Sequence, residues 1–160
     1  MKSPLSAVAL ALGLTVCSAS TGPVAAQTHR SHFGPHISYN FDVEEIAIGA
    51  QFSAPVSNFL EFYPSFDIFL VDAGSLWAFN ADLKLRVAGQ SLEWLYLGGG
   101  LNLTRASHGG FSNSDAGLNL FAGFETLAGR VHPFGELRVI VADGSSAQFG
   151  FGLNFTLGSR

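Results

Sequence analysis

The sequence predicts an all-β fold, an eight-stranded antiparallel up-and-down transmembrane β-barrel preceded by a cleaved signal peptide. Three observations predict it. In 148–157, large apolar residues (Phe149, Phe151, Leu153, Phe155, Leu157) alternate without a miss with Gln148, Gly150, Gly152, Asn154 and Thr156. Successive strand side chains point to opposite faces, so this is a strand with one apolar side, and about ten tilted residues cross the hydrocarbon of a bilayer. Beyond Phe33 no stretch keeps a helical apolar period, and turn-forming residues recur every ten to fifteen positions. Charged residues make up 12% of the chain, with 19 Gly and 15 Phe. That charge content is about half the usual share for a water-surfaced protein.

The N-terminal segment, 1–26, reads as a secretory signal. Lys2 supplies the positive start, 5–16 is an uncharged apolar run, and Val24-Ala25-Ala26 offers small residues for cleavage before Gln27. Leu14-Thr15-Val16-Cys17 loosely matches a lipoprotein signal, but Val16 stands where a small residue is wanted. Once the leader is removed no cysteine remains in 27–160, so disulfides cannot stabilise the exported domain. Residues 27–33 read as a short tail and 34–158 as the barrel. With seven Lys and Arg against twelve Asp and Glu after Gln27 and no basic cluster, nucleic acid is excluded as a partner.

Eight strands are expected, at 35–41, 45–52, 58–70, 76–87, 93–105, 117–125, 131–141 and 148–157. Each has an apolar parity: Ile37 and Tyr39 in the first, Ile46 and Ile48 in the second, Phe62, Phe66 and Ile68 in the third, Phe79, Leu83 and Leu85 in the fourth. Leu97, Leu101 and Leu103 carry it in the fifth, Leu118, Leu120 and Phe124 in the sixth, and Leu137, Val139 and Val141 in the seventh. The third and seventh contain Pro64 and Pro133, which remove ladder donors, so a bulge or strand end is expected at each. The third also places Phe59, Tyr63 and Phe69 on its polar parity, which leaves its register open by one residue. Six of the seven links are short. The fifth, 106–116, is the longest and lies on the side opposite both chain ends, where outer-membrane barrels carry their longer loops.

The other parity decides which face meets water. It holds Asn40, Gly49, Asn80, Gly98, Gly100, Asn102, Asn119, Gly123, Gly150 and Gly152 among its members. These small residues would make a poor solvent surface but suit the interior of an eight-stranded barrel, which side chains alone can fill. The apolar parity holds no charge in mid-strand; Glu44, Arg105 and Asp143 share it only at strand ends. A charge facing lipid at mid-membrane costs about 2–4 kcal/mol, so lipid belongs outside. The alternative with the apolar face inward is a soluble periplasmic lipocalin-like binder.

On this pattern, 34–158 resembles the small eight-stranded outer-membrane barrels of Gram-negative bacteria, the group that includes the OmpX-like and OmpA-type transmembrane domains and the opacity-type porin family. The resemblance implies an integral outer-membrane protein with a structural, envelope-integrity or adhesion role and at most a small-solute conductance. It implies outer-membrane lipid, lipopolysaccharide and the barrel-insertion machinery as partners, a monomeric state, and no cofactor. Such proteins usually end in an aromatic residue that the insertion machinery reads, whereas this chain continues past Phe155 and Leu157 to Gly158-Ser159-Arg160.

Three sets of residues are candidates for chemistry. Glu61, Asp67, Asp82, Lys84, Arg86, Glu125, Glu136 and Arg138 share the inward parity, where pairing is the expected outcome for charges in a narrow lumen. His108 with Ser112 and Asn113 in the fifth link, together with Glu125, supplies the parts of an acyl-transfer triad. They are similar to the lipid A deacylase barrels, yet there the His precedes the Ser by two positions, while Gly109, Gly110 and Phe111 intervene here and Glu125 has inward parity. A polar Gly-rich loop is the simpler reading, and the chain is expected not to be an enzyme. Arg105, on the apolar parity at the outer rim, is suited to lipopolysaccharide phosphates. Tyr39, Phe41 and Trp77 match an interfacial girdle at the same rim, and Trp94 and Tyr96 are expected to plug the lumen. His29, His32 and His36 are spaced loosely enough to bind a metal but lack the Cys or closely set carboxylate that would complete a site, and read as a mobile tail.

Overall fold

The strand rhythm closes on itself. A computed structural model of the chain describes residues 30–87 and 93–158. The leader at 1–26, Cys17, His29, residues 88–92 and Ser159-Arg160 lie outside the described residues. Eight antiparallel strands form one closed barrel in sequence order: β1 (His32–Asn40), β2 (Glu45–Pro55), β3 (Leu60–Phe69), β4 (Ser75–Arg86), β5 (Leu95–His108), β6 (Phe111–Glu125), β7 (Val131–Val141) and β8 (Ser145–Thr156). β8 pairs with β1 through Phe155↔Phe33, Phe151↔Ile37 and Phe149↔Tyr39.

Period-two sequence becomes period-two burial. β1 reads buried, exposed, buried along its whole length, with His32, His36, Ser38 and Asn40 inside and Phe33, Ile37 and Tyr39 outside. The polar side is the buried one: Lys84, Asp82, Asn80 and Asn119 are at most 2% exposed, while Leu101, Leu120, Phe151 and Ile48 are more than half exposed. Phe149, Leu153, Phe155 and Leu157 are likewise outward and exposed. Among the described residues, Arg105 is the one charge at an outward-facing strand position.

Four expectations are corrected. No bulge forms at Pro64. The β2–β3 register is the same on both sides of it, Gln51↔Ser65 and Ala54↔Phe62, and the ladder lapses between them where the proline offers no N–H. Pro35 produces the same kind of lapse between Phe33↔Phe155 and His36↔Gly152 in the β1–β8 ladder. Pro133 stays paired to Leu153 of β8, and the β6–β7 ladder ends beside it at Phe134. The third strand keeps its expected parity, with Phe62, Phe66 and Ile68 outward, so Tyr63 and Phe69 are lumen residues.

Second, 106–116 is not a long loop. β5 and β6 run on as a hairpin whose turn is Gly109-Gly110 alone, with register continuous from Leu95↔Phe124 to His108↔Phe111. Both glycines have positive φ, 57° and 86°. These angles define a type I′ turn, whose twist matches that of the flanking strands. Third, β1 begins at His32, inside the segment read as a tail, and His32 faces the lumen. Fourth, Trp94 precedes β5 and is 47% exposed; it does not plug the lumen, whereas Tyr96 is 1% exposed and does.

Candidate functional site

Among the described residues the lumen is where the fold concentrates charge, and neighbouring strands determine which charges meet. Lys84 and Arg86 sit two apart on β4 and therefore share the inward face. Register puts Glu61 of β3 directly opposite Lys84, and Glu125 comes in from β6, two strands away. Lys84 Nζ lies 2.9 Å from Glu61 Oε2 and 3.1 Å from Glu125 Oε2. Arg86 Nε donates to Glu61 Oε1, and its Nη2 donates to Glu125 Oε2 at 2.7 Å. Two cations thus alternate with two carboxylates, and the quartet is electrically neutral. Ser53 Oγ donates to Glu61, and Asn154 Nδ2 donates to Glu125 Oε1 at 2.7 Å, filling lone pairs the cations leave. All four charged side chains are buried, so removing any one would leave uncompensated charge.

On the chain-end side of this quartet the His32 and His132 rings lie 4.7 Å apart, with His132 Nε2 hydrogen bonded to Thr156 Oγ1 at 2.7 Å. On the other side an aromatic layer of Tyr63, Tyr96 and Phe121 crosses the lumen, with ring centroids 5.8–6.4 Å apart. Lys84 Nζ also lies 4.4 Å from the centre of the Tyr63 ring, so the cation is shared between carboxylates and ring face. Glycines make room for these rings. A Cβ at Gly98 would come within 2.1 Å of Phe121, and one at Gly123 within 2.4 Å of the Tyr96 ring.

Beyond the aromatics a second polar network fills the barrel. Arg138 Nη1 lies 3.0 Å from Asp82 Oδ2 and its Nη2 2.9 Å from Glu136 Oε1, while Tyr96 OH donates to Glu136 Oε2 at 3.1 Å. Asn119 Nδ2 donates to Asn80 Oδ1 and Asp82 Oδ1, both at 2.9 Å. Asn80 Nδ2 donates to Asp67 Oδ2 at 3.2 Å, and His36 Nε2 bonds Asp67 Oδ1 at 2.7 Å. A polar cavity of about 20 Å³ among His36, Ser38, Asp67, Glu136, Arg138 and Gln148 has room for about one water. Ala47, Phe69 and Ala78, flanked by Val71 and Leu76, cap the lumen at the turn end. Salt-bridged polar layers, a ring layer and an apolar cap in series leave a filled lumen, not a channel.

The geometry does not assemble the other candidate. His108 faces Phe111 across the turn on the inward side of the hairpin, whereas Ser112 faces Ser107 on the outward side, so the two side chains point to opposite faces. Ser112 Oγ instead accepts from Arg105 Nη2 at 3.4 Å. Glu125 ends the same strand that Phe111 begins, and is bound within the quartet. At the rise of a strand it is roughly 40 Å of chain from Ser112. No acyl-transfer triad forms from these residues.

Tyr63 stood on the polar parity in the sequence without a role, and Phe121 and His132 are lumen residues that the sequence did not single out. Parity alone marks each of them, since each lies an even number of positions from a charged inward residue on its own strand: Tyr63 from Glu61, Phe121 from Glu125, His132 from Glu136.

A closed eight-stranded antiparallel barrel with a charged, filled interior and an apolar exterior is the architecture of the small outer-membrane barrels. The chain shares its fold with the N-terminal β-barrel domain of Pseudomonas aeruginosa OprF, at TM-score 0.67 and 12% identity over 79% of this chain and 96% of that one. Neisserial surface protein A is similar at TM-score 0.56 and 15% identity, covering 80% of this chain and 95% of its own. Ail, the attachment invasion locus protein of Yersinia pestis, is similar at TM-score 0.53 and 14% identity, covering 80% and 97%. No family model matches the sequence, and no curated protein does.

Proposed function

We propose that the chain is an integral outer-membrane protein of a Gram-negative bacterium, monomeric and non-enzymatic, exported by its 1–26 segment and inserted by the barrel-insertion machinery. Its role is structural or adhesive, with at most a small-solute conductance. The observation that carries this reading is the inversion of the fold: Lys84, Asp82 and Glu125 are inside, while the Phe, Leu and Ile residues of every strand are outside. A soluble protein seldom exposes an apolar patch beyond a few hundred Å². Here the apolar surface runs around the whole closed sheet, and hydrocarbon is the solvent that suits it. The same inversion disfavours the lipocalin-like alternative, which needs the apolar parity inside.

With both chain ends on the periplasmic side, the β5–β6 hairpin projects from the cell. The names of Ail and Neisserial surface protein A, attachment and surface, support the adhesive side of the role. Arg105, exposed at the base of the hairpin, is positioned for a lipopolysaccharide phosphate. The deciding experiment is membrane fractionation with heat-modifiable gel mobility. A detergent-extracted band that shifts on boiling is expected, and a soluble band that does not shift would overturn the proposal. Lipid A recovered from expressing cells is expected to be unmodified, with or without Ser112→Ala.

A further inference from the structure

The β5–β6 hairpin outlasts its neighbour on one side only. β5 is paired to β4 as far as Ser107↔Ser75, but β6 is paired to β7 only from Leu118↔Val141 onward. Among the described residues, the edge of Phe111–Gly117 that faces away from β5 has no strand partner. The two-residue turn makes His108 and Phe111 the closing hydrogen-bonded pair. Alternation then turns the N–H and C=O groups of Phe111, Asn113 and Asp115 toward β5, and those of Ser112, Ser114 and Ala116 toward the open edge. Open edges are normally blocked by Lys, Pro, a bulge or a covering loop. This one has no Lys, no Pro and no register shift, and it ends in Phe111, which is 85% exposed.

We propose that this edge pairs with the same edge of a second copy of the chain in a facing membrane, so that the protein joins cell to cell. The proposal rests on the outer-membrane reading above. In two facing membranes the β6 strands run in opposite directions, as an antiparallel, two-fold symmetric ladder requires, whereas copies within one membrane present their edges parallel. Centred on Ser114, the pairing is self-complementary. Ser114 faces its own counterpart and Ser112 faces Ala116, so the hydrogen-bonding groups meet; these three pairs make roughly six backbone bonds. Phe111 faces Gly117 of the second copy, where the chain is bordered by Val141 and Ala142. Asn113 faces Asp115, an amide donor opposite a carboxylate; within one chain the same two side chains already meet at 3.1 Å. Moving the centre to Asp115 would set two carboxylates face to face, which is unfavourable.

The test uses the full chain, with Cys17→Ser, expressed with two different epitope tags in two populations of a host whose lipopolysaccharide is truncated. Ser114→Cys in both populations is expected to give a mixed-tag dimer on mixing, lost on reduction. Ser112→Cys in both should give none, but Ser112→Cys cells mixed with Ala116→Cys cells should give it again. Ser114→Pro removes an edge N–H while leaving the β5 bonds intact, and is expected to abolish cell settling. Heat-modifiable mobility is read on every variant. A shifting, membrane-located band with no mixed-tag dimer, whether or not a same-tag dimer forms, overturns this pairing alone, as does a cross-link only to a host protein or equal cross-linking at Ser112 and Ser114. A band that does not shift overturns the outer-membrane reading and the pairing with it.

Discussion

At the scale of single residues, the lumen depends on balanced charge more than on any one bond. Glu125→Gln leaves Lys84 and Arg86 facing Glu61 alone, and breaking one partner of a buried pair costs about 3–5 kcal/mol. Urea unfolding of the refolded barrel should show a loss of that size, and adding Lys84→Met should recover part of it by restoring neutrality. If the two changes simply add, the quartet is not a coupled unit. Gly98→Val drives a side chain into Phe121 and against the Leu83 carbonyl and should destabilise the barrel by about 1–3 kcal/mol, with Phe121→Ala recovering only the part due to the ring. The inward charges were legible from parity, because a strand fixes the face of each side chain. Their partners were not, because Glu125 reaches Lys84 across an intervening strand and no local spacing encodes that distance.

At the scale of elements, the β5–β6 hairpin is the instructive case. Gly110 sits at φ 86°, so Gly110→Val places a branched residue in the left-handed region at a cost of about 1–2 kcal/mol. Hydrogen exchange at Phe111, Asn113 and Asp115 should quicken, while the heat shift of the barrel stays unchanged. If the barrel itself loosens, the hairpin is not a separate unit. Seven of the eight strands were legible within a few residues at each end, since each has one wet and one dry side. The extended hairpin was misread because Ser112, Asn113, Ser114 and Asp115 are exposed on both faces. A strand with the same surroundings on both sides loses the alternation by which strands are recognised. Gly109-Gly110, the local signature of a two-residue turn, was the surviving signal. Pro64 misled for a different reason: a missing donor can be absorbed by a lapse in pairing without inserting a residue.

At the scale of the whole molecule, the outward face should tolerate no charge across the membrane band. Leu101→Arg and Phe151→Arg, both at exposed mid-strand positions, should each destabilise the inserted barrel by about 2–4 kcal/mol. Phe111→Arg, at the hairpin tip, should leave barrel stability unchanged although Phe111 is the more exposed residue. Equal effects at all three sites would mean that the apolar girdle does not meet lipid. Fold class was legible at this scale because the contrast between faces repeats in every strand. The particular role was less so, because filled lumens look alike whatever the loops bind.

The lapse at Pro35 bears on how the barrel is made. Seven of its eight seams join strands adjacent in sequence, and such pairings form early because little chain must be closed. The β1–β8 seam alone brings together residues more than a hundred positions apart, such as Tyr39 and Phe149, and it is also a seam with a gap in its ladder. Closure therefore falls to the most distant pairing, and that pairing is short of bonds. A sheet zipped hairpin by hairpin would leave the β1–β8 edge for last, so the last seam to close would be one with a gap in its ladder.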